Sequence, residues 1–164
     1  MAVWDTSVAS GLHPNDPLFE LASEAALADE PFLLAAPTVQ EIAVGLERQA
    51  DARFAALLTW FRELFAVGLL EVLPLSWEAA LLAGRLRAML PVPPTGPAAR
   101  SPRERGTKPE RRVAWIADIQ IAATAWLAGE AVCTADQKHF EALGEAIARL
   151  FPGERKLQVL SPPA

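Results

Sequence analysis

A chain of 164 residues, 52% apolar and 21% charged, is long enough to bury a core and too hydrophobic to remain disordered. Fifteen basic against twenty acidic residues give a formal net charge of −5, so the average surface does not attract polyanions and any such site must be local. The single cysteine, Cys133, excludes an internal disulfide framework and a cysteine-rich zinc site, and it fits a reducing cytoplasm.

In chain order, "MAVWD" reads as a first strand ending in Asp5, with no basic, apolar leader of the signal-peptide kind. "DPLFELASEAALADE", residues 16–30, has helical spacing. "FLLAAP" is a short strand, after which Thr38 opens a helix over "PTVQEIAVGLERQ" as its N-cap. "DARFAALLTWFRELFAVG" is a helix that Gly68 can close in the left-handed conformation, and "LLEVLPL" is the next strand. Ser76 caps the helix "WEAALLAGRLRAML".

Residues 91–112, "PVPPTGPAARSPRERGTKPERR", break this regularity and read as a Pro/Arg-rich loop. From Arg100 to Arg112 six basic residues stand against Glu104 and Glu110, so the loop is basic in an acidic chain. A helix over "WIADIQIAATAWLAG" follows, with Asp118 in its first turn; then come a strand in "EAVCTAD" ending near Asp136, a helix over "QKHFEALGEAIARLF" and a last strand in "KLQVL". Short apolar runs alternating with helices predict an α/β fold, a three-layer α/β/α sandwich around a mainly parallel sheet, as one domain over 1–164. No apolar run is long enough to span a membrane.

Four carboxylates end or begin elements. Asp5 and Asp136 follow strands, and the carboxyl ends of parallel strands line the cleft where ligands bind. Glu41 and Asp118 sit near helix starts after such strands. Each also has a structural reading: Asp5 as a turn residue, Glu41 as the capping-box partner of Thr38, Asp136 as an N-cap. Asp118 resists it most, because Ile116, Ala117, Ile119 and Ile121 leave it little polar face. Two carboxylates ~5 Å apart repel by about 3 kcal/mol at an effective dielectric near 20, and a divalent cation more than offsets that repulsion. An all-oxygen cluster suits Mg²⁺ or Mn²⁺ better than zinc.

These residues carry a family resemblance. "VWDTSVASGL", "PTVQEIAVGLER" and above all "ADIQIAATAWLAGEAVCTADQKHF" resemble the motifs of PIN-domain ribonucleases of the VapC toxin type, from Asp5 almost to the C-terminus. The resemblance implies that Asp5, Glu41, Asp118 and Asp136 hold one or two Mg²⁺ or Mn²⁺ ions, supported by Thr6 or Ser7 and by Thr134. It implies metal-dependent endonucleolytic hydrolysis of RNA, a homodimer, and inhibition by a small cognate antitoxin whose C-terminal segment lies in a groove near the site. Two departures stand out: the 91–112 segment is longer than the usual connection, and Ala114, Trp115 and Ile116 are apolar where many relatives carry another acid.

Arg103, Arg105, Arg111 and Arg112 are candidates to steer RNA phosphates toward the acidic site, against the alternative of a solvated crossover loop. His139, three residues after Asp136, reads more readily as surface than as a general base; His13 has less to recommend it. Trp60, Phe61 and Phe65 are read as core before interface, and Trp4 as core. A haloacid-dehalogenase-type phosphatase lacks its second Asp, since Ser7 stands there, and "LLEVLPLSW" lacks the Asp of a receiver domain. The remaining alternatives are a PIN nuclease of RNA maturation or decay without a toxin role, and a non-catalytic binding module of the same fold.

Overall fold

The computed structural model describes residues 1–10, 31–49, 52–94 and 108–162. The helix expected over 16–30, His13, and Arg103 and Arg105 of the basic segment lie outside these residues. The described elements run β1 (Ala2–Trp4), α1 (Thr6–Ala9), β2 (Phe32–Ala35), α2 (Ala36–Gln49), α3 (Ala52–Ala66), β3 (Leu70–Leu73), α4 (Trp77–Met89), α5 (Lys108–Ala128), β4 (Ala131–Cys133), α6 (Gln137–Leu150) and β5 (Val159–Leu160).

Five strands form one wholly parallel sheet in the order β3-β2-β1-β4-β5. Alternation along the strands divides the interior into two cores. Val3, Leu33, Ala35 and Val132 meet α4, α5 and α6 through Leu86, Trp115, Ile119, Phe140 and Ile147. Their neighbours Trp4, Phe32, Leu34 and Cys133 point the other way, onto Val8, Ile42, Leu57 and Phe61 of α1, α2 and α3. This is the expected three-layer α/β/α arrangement, and Trp4 and Phe61 are core as expected, whereas Phe65 is 60% exposed. The chain winds from β1 outward through β2 to β3 and then crosses to β4 on the other side of β1. That reversal opens a crevice at the carboxyl ends of β1 and β4.

Several boundaries follow their sequence signals. Gly68 ends the α3 segment at φ +79, and Ser76 caps α4 by accepting from the Ala79 amide. Two boundaries correct the expectation, and for one reason. α2 begins at Ala36 and α5 at Lys108, so each carries a proline, Pro37 or Pro109, in its first turn. There the missing N–H costs nothing, because first-turn amides have no intrahelical acceptor. Thr38 is therefore not an N-cap; it is fully buried inside α2, its hydroxyl 3.4 Å from the Trp4 carbonyl. The stretch 108–112 is not loop but the start of α5, with Arg111 and Arg112 exposed on it.

Candidate functional site

Asp5 stands where β1 ends. Its amide still donates to the Cys133 carbonyl at 3.0 Å, extending the β1–β4 pairing by one step, and its side chain then caps α1. Asp5 is only 3% exposed, so its oxygens need donors. Oδ1 accepts from the Thr6 amide at 2.7 Å; Oδ2 accepts from the Ser7 hydroxyl at 2.6 Å and the Thr134 hydroxyl at 2.9 Å. Thr134, fully buried just after β4, also accepts from the Asp136 amide at 2.9 Å, while Ser7 accepts from the Ala135 amide at 3.1 Å. The hydroxyls of Ser7 and Thr134 and the two strand ends thus fix the turn from Cys133 to Asp136 against Asp5.

Glu41 reaches the same place from α2. Thr6 donates to its Oε2 at 2.5 Å, across the gap between α1 and α2. This overturns the capping-box reading: Glu41 is the sixth residue of a helix that starts at Ala36, and its carboxylate turns to Thr6 instead of back to residue 38. Burial, opposed in part by the Thr6 hydroxyl and reinforced by the charges of Asp118 and Asp5, pushes its carboxyl up to about 7.

Asp118 is the eleventh residue of α5, not a first-turn residue, so the helix dipole gives it little support. Its Oδ2 lies 2.8 Å from Nδ1 of His139 on α6. Burial raises its carboxyl to about 6 even with that partner, and Asp5 and Asp136 add to the rise. His139 is the residue the sequence reading undervalued. It is no free surface histidine: Nδ1 also lies 3.2 Å from Asp136 Oδ2, and its ring meets Trp115 edge-on at 5.2 Å. Burial works against its charge, but the bond to Asp118 and the fields of Asp118, Asp136 and Asp5 prevail and raise its pKa. Trp115 is itself anchored, its indole N–H donating to the Leu90 carbonyl at 2.9 Å. Asp136 occupies the N-cap position of α6 but makes no side-chain capping bond; its carboxylate is half exposed and turns to His139.

The four acids predicted from sequence therefore gather at the carboxyl edge of the sheet, tied together through Thr6, Ser7, Thr134 and His139. Asp5 is well supplied with donors, whereas among the described residues Glu41 and Asp118 each have a single side-chain donor in a field of like charge. Among the described residues, no three His, Cys, Asp or Glu side chains stand close enough to hold one ion together in this arrangement. The donor set is nevertheless the hard, anionic oxygen set that Mg²⁺ or Mn²⁺ takes, and its two poorly supplied carboxylates are those a cation would relieve. Arg111 and Arg112 lie seven and six residues before Asp118 on the same helix, and Arg103 and Arg105 fall outside the described residues.

The sequence matches the model of the PIN domain family over residues 2–146. A comparison with curated proteins found no match. Among solved structures, the chain is similar to a protein in the FitAcB structure from Neisseria gonorrhoeae, at 21% identity and a TM-score of 0.58, covering 98% of this chain and 96% of that one. It is similar to a chain of VapBC2 from Rickettsia felis bound to a DNA fragment from their promoter (15% identity, TM-score 0.58, 99% and 98% covered). A third likeness is to DNA-bound VapBC from Salmonella typhimurium, at 18% identity and a TM-score of 0.56, with 98% of each chain covered.

Proposed function

The chain belongs to the PIN-domain family, and from that premise we propose that it is an Mg²⁺- or Mn²⁺-dependent endoribonuclease that serves as the toxin of a toxin–antitoxin pair. The observation that carries the nuclease reading is the gathering of Asp5, Glu41, Asp118 and Asp136 at the carboxyl edge of the sheet through Thr6, Thr134 and His139, where partial burial and like charge raise the carboxyls of Glu41 and Asp118. Such a cluster is costly to the fold and useful to a cation. The toxin role rests on the structural neighbours, which are VapBC and FitAcB assemblies.

In this reading Asp5, Glu41, Asp118 and Asp136 hold the ion or ions. A divalent ion held by these carboxylates would supply Lewis acidity for attack by water at phosphorus and would offset charge developing on the phosphate. Ser7 and Thr134 fix the rotamer of Asp5, and Thr6 fixes that of Glu41. His139 holds Asp118 and Asp136 toward each other. Arg111 and Arg112, with Arg103 and Arg105, draw the substrate's phosphates toward a site that would otherwise repel them. A small antitoxin and a second copy of the chain are the partners in this reading.

The test is cleavage of single-stranded RNA by purified protein with Mg²⁺ or Mn²⁺, with chelator, and with Asp5→Asn and Asp118→Asn. Activity is expected only in the unsubstituted, metal-supplied protein; cleavage by Asp118→Asn at the parent rate refutes the site. Growth arrest on induced expression, relieved by the product of an adjoining small gene, separates a toxin from a nuclease of RNA maturation.

A further inference from the structure

A groove of about 290 Å³ runs between α2 and α5, and the chemistry above uses only one of its lining residues, Glu41. Helical spacing builds both walls: Pro37, Gln40, Val44 and Arg48 recur at three- and four-residue steps on α2, as do Val113, Ala117 and Gln120 on α5. The walls are therefore mainly aliphatic, with two carboxamides and one guanidinium as the polar groups that are not acids. We propose that this groove binds one unpaired nucleobase of the RNA substrate next to the phosphodiester that is cut, with the carboxamides of Gln40 and Gln120 reading its edge. This rests on the nuclease reading and supplies it with a specificity site.

Four features favour this occupant. The volume lies at the lower end of small-ligand pockets, roughly 300 Å³, which suits one planar base better than a run of peptide side chains. Aliphatic walls accept the flat faces of a base, and a carboxamide pairs a donor with an acceptor as base edges do. The base must be unpaired, because pairing would occupy that edge and stacking would bar entry. Finally, Glu41 belongs both to the groove and to the acidic site, so a base seated here is contiguous with the phosphate at the carboxylates. Arg48, to which no carboxylate is bonded among the described residues, supplies a cation for the adjoining phosphate.

The experiment uses the full chain with Mg²⁺ or Mn²⁺ on RNA oligonucleotides carrying a randomised, unstructured segment, with the product ends sequenced. The parent is expected to show a base preference confined to one position beside the cut. Gln40→Ala combined with Gln120→Ala should flatten that preference by about tenfold while cutting continues. Val113→Trp, which fills the groove from an exposed position, should raise KM by about tenfold, with thermal melting confirming that both variants fold. An unchanged preference in the double variant, or a parent that cuts without preference, overturns the inference and leaves the nuclease reading standing. Variants that keep the preference but lose inhibition by a small partner protein assign the groove to a peptide and likewise overturn it. A parent that cuts no RNA removes the nuclease reading, and this inference with it.

Discussion

His139 Nδ1 lies 2.8 Å from Asp118 Oδ2, joining two helices, α6 and α5, that reach the carboxyl edge of the sheet from opposite ends of a 21-residue separation. The same nitrogen lies 3.2 Å from Asp136, so one imidazole sets the spacing of two of the four acids. The His139→Ala protein should fold but lose about tenfold in kcat, with weaker metal affinity, because two carboxylates lose the group that orients them. His139→Gln, which keeps a donor, should recover part of the loss. Metal titration and steady-state kinetics on the two variants check this, and parent-like values for His139→Ala would return His139 to a surface role.

Burial of Glu41 makes the stability of the metal-free protein depend on pH in an unusual direction. Its carboxyl rises from 4.5 in the unfolded chain to about 7 in the fold, so the folded protein holds that proton more tightly. The corresponding stability is fully present below pH 4.5 and is lost as pH rises through 7, by at most about 3 kcal/mol. Asp118, raised from 3.8 to about 6, acts in the same direction over a lower window. Melting temperature in chelator should therefore fall between pH 5 and pH 8, Glu41→Gln should flatten most of that slope, and Mg²⁺ or Mn²⁺ at pH 8 should reverse it in the parent. A melting temperature that rises across this range in chelator contradicts the electrostatic account.

The sheet was legible because alternation is local: Val3 against Trp4, and Leu33 against Leu34, each divide between two cores as a strand with both faces covered requires. The acids were legible because strand ends and short motifs mark them. The supports of the acids were only partly so. Ser7 and Thr6 sit next to Asp5 in sequence, but the partners of His139 are set by how α5 packs on α6, and no spacing in the sequence carries that. The helix starts were misplaced because Pro37 and Pro109 look like breakers, whereas in a first turn they are compatible with helix. That one signal, read correctly, moves Glu41 and Asp118 out of first turns and removes the capping-box explanation for Glu41.

Thr134 tests whether the turn after β4 matters to Asp5. Its hydroxyl donates to Asp5 Oδ2 and accepts from the Asp136 amide, and it is fully buried. Thr134→Val keeps the shape and removes both bonds, leaving a buried carboxylate oxygen short of one donor and one amide unpaired. A loss of about 1–3 kcal/mol in denaturant unfolding is expected, with a fall in RNA cleavage that Thr134→Ser restores. Equal stability of the Val and Ser forms would show that Ser7 and the Thr6 amide hold Asp5 without Thr134.

Arg111 and Arg112 rise from the start of α5, the helix that carries Asp118 and one wall of the groove, so phosphates bound by them would be delivered along a rigid element to the carboxylates. Counterion release gives a quantitative reading: each phosphate neutralised on a single strand contributes about −0.7 to the slope of log K against log salt. Replacing both with Ala should lower the slope for single-stranded RNA binding by about 1.4, weakening affinity at low salt for every sequence alike. A change in sequence preference instead would mean that these arginines contact bases. An unchanged slope would mean that steering belongs to Arg103 and Arg105, and the quadruple substitution measured in the same salt series separates that case from no steering at all.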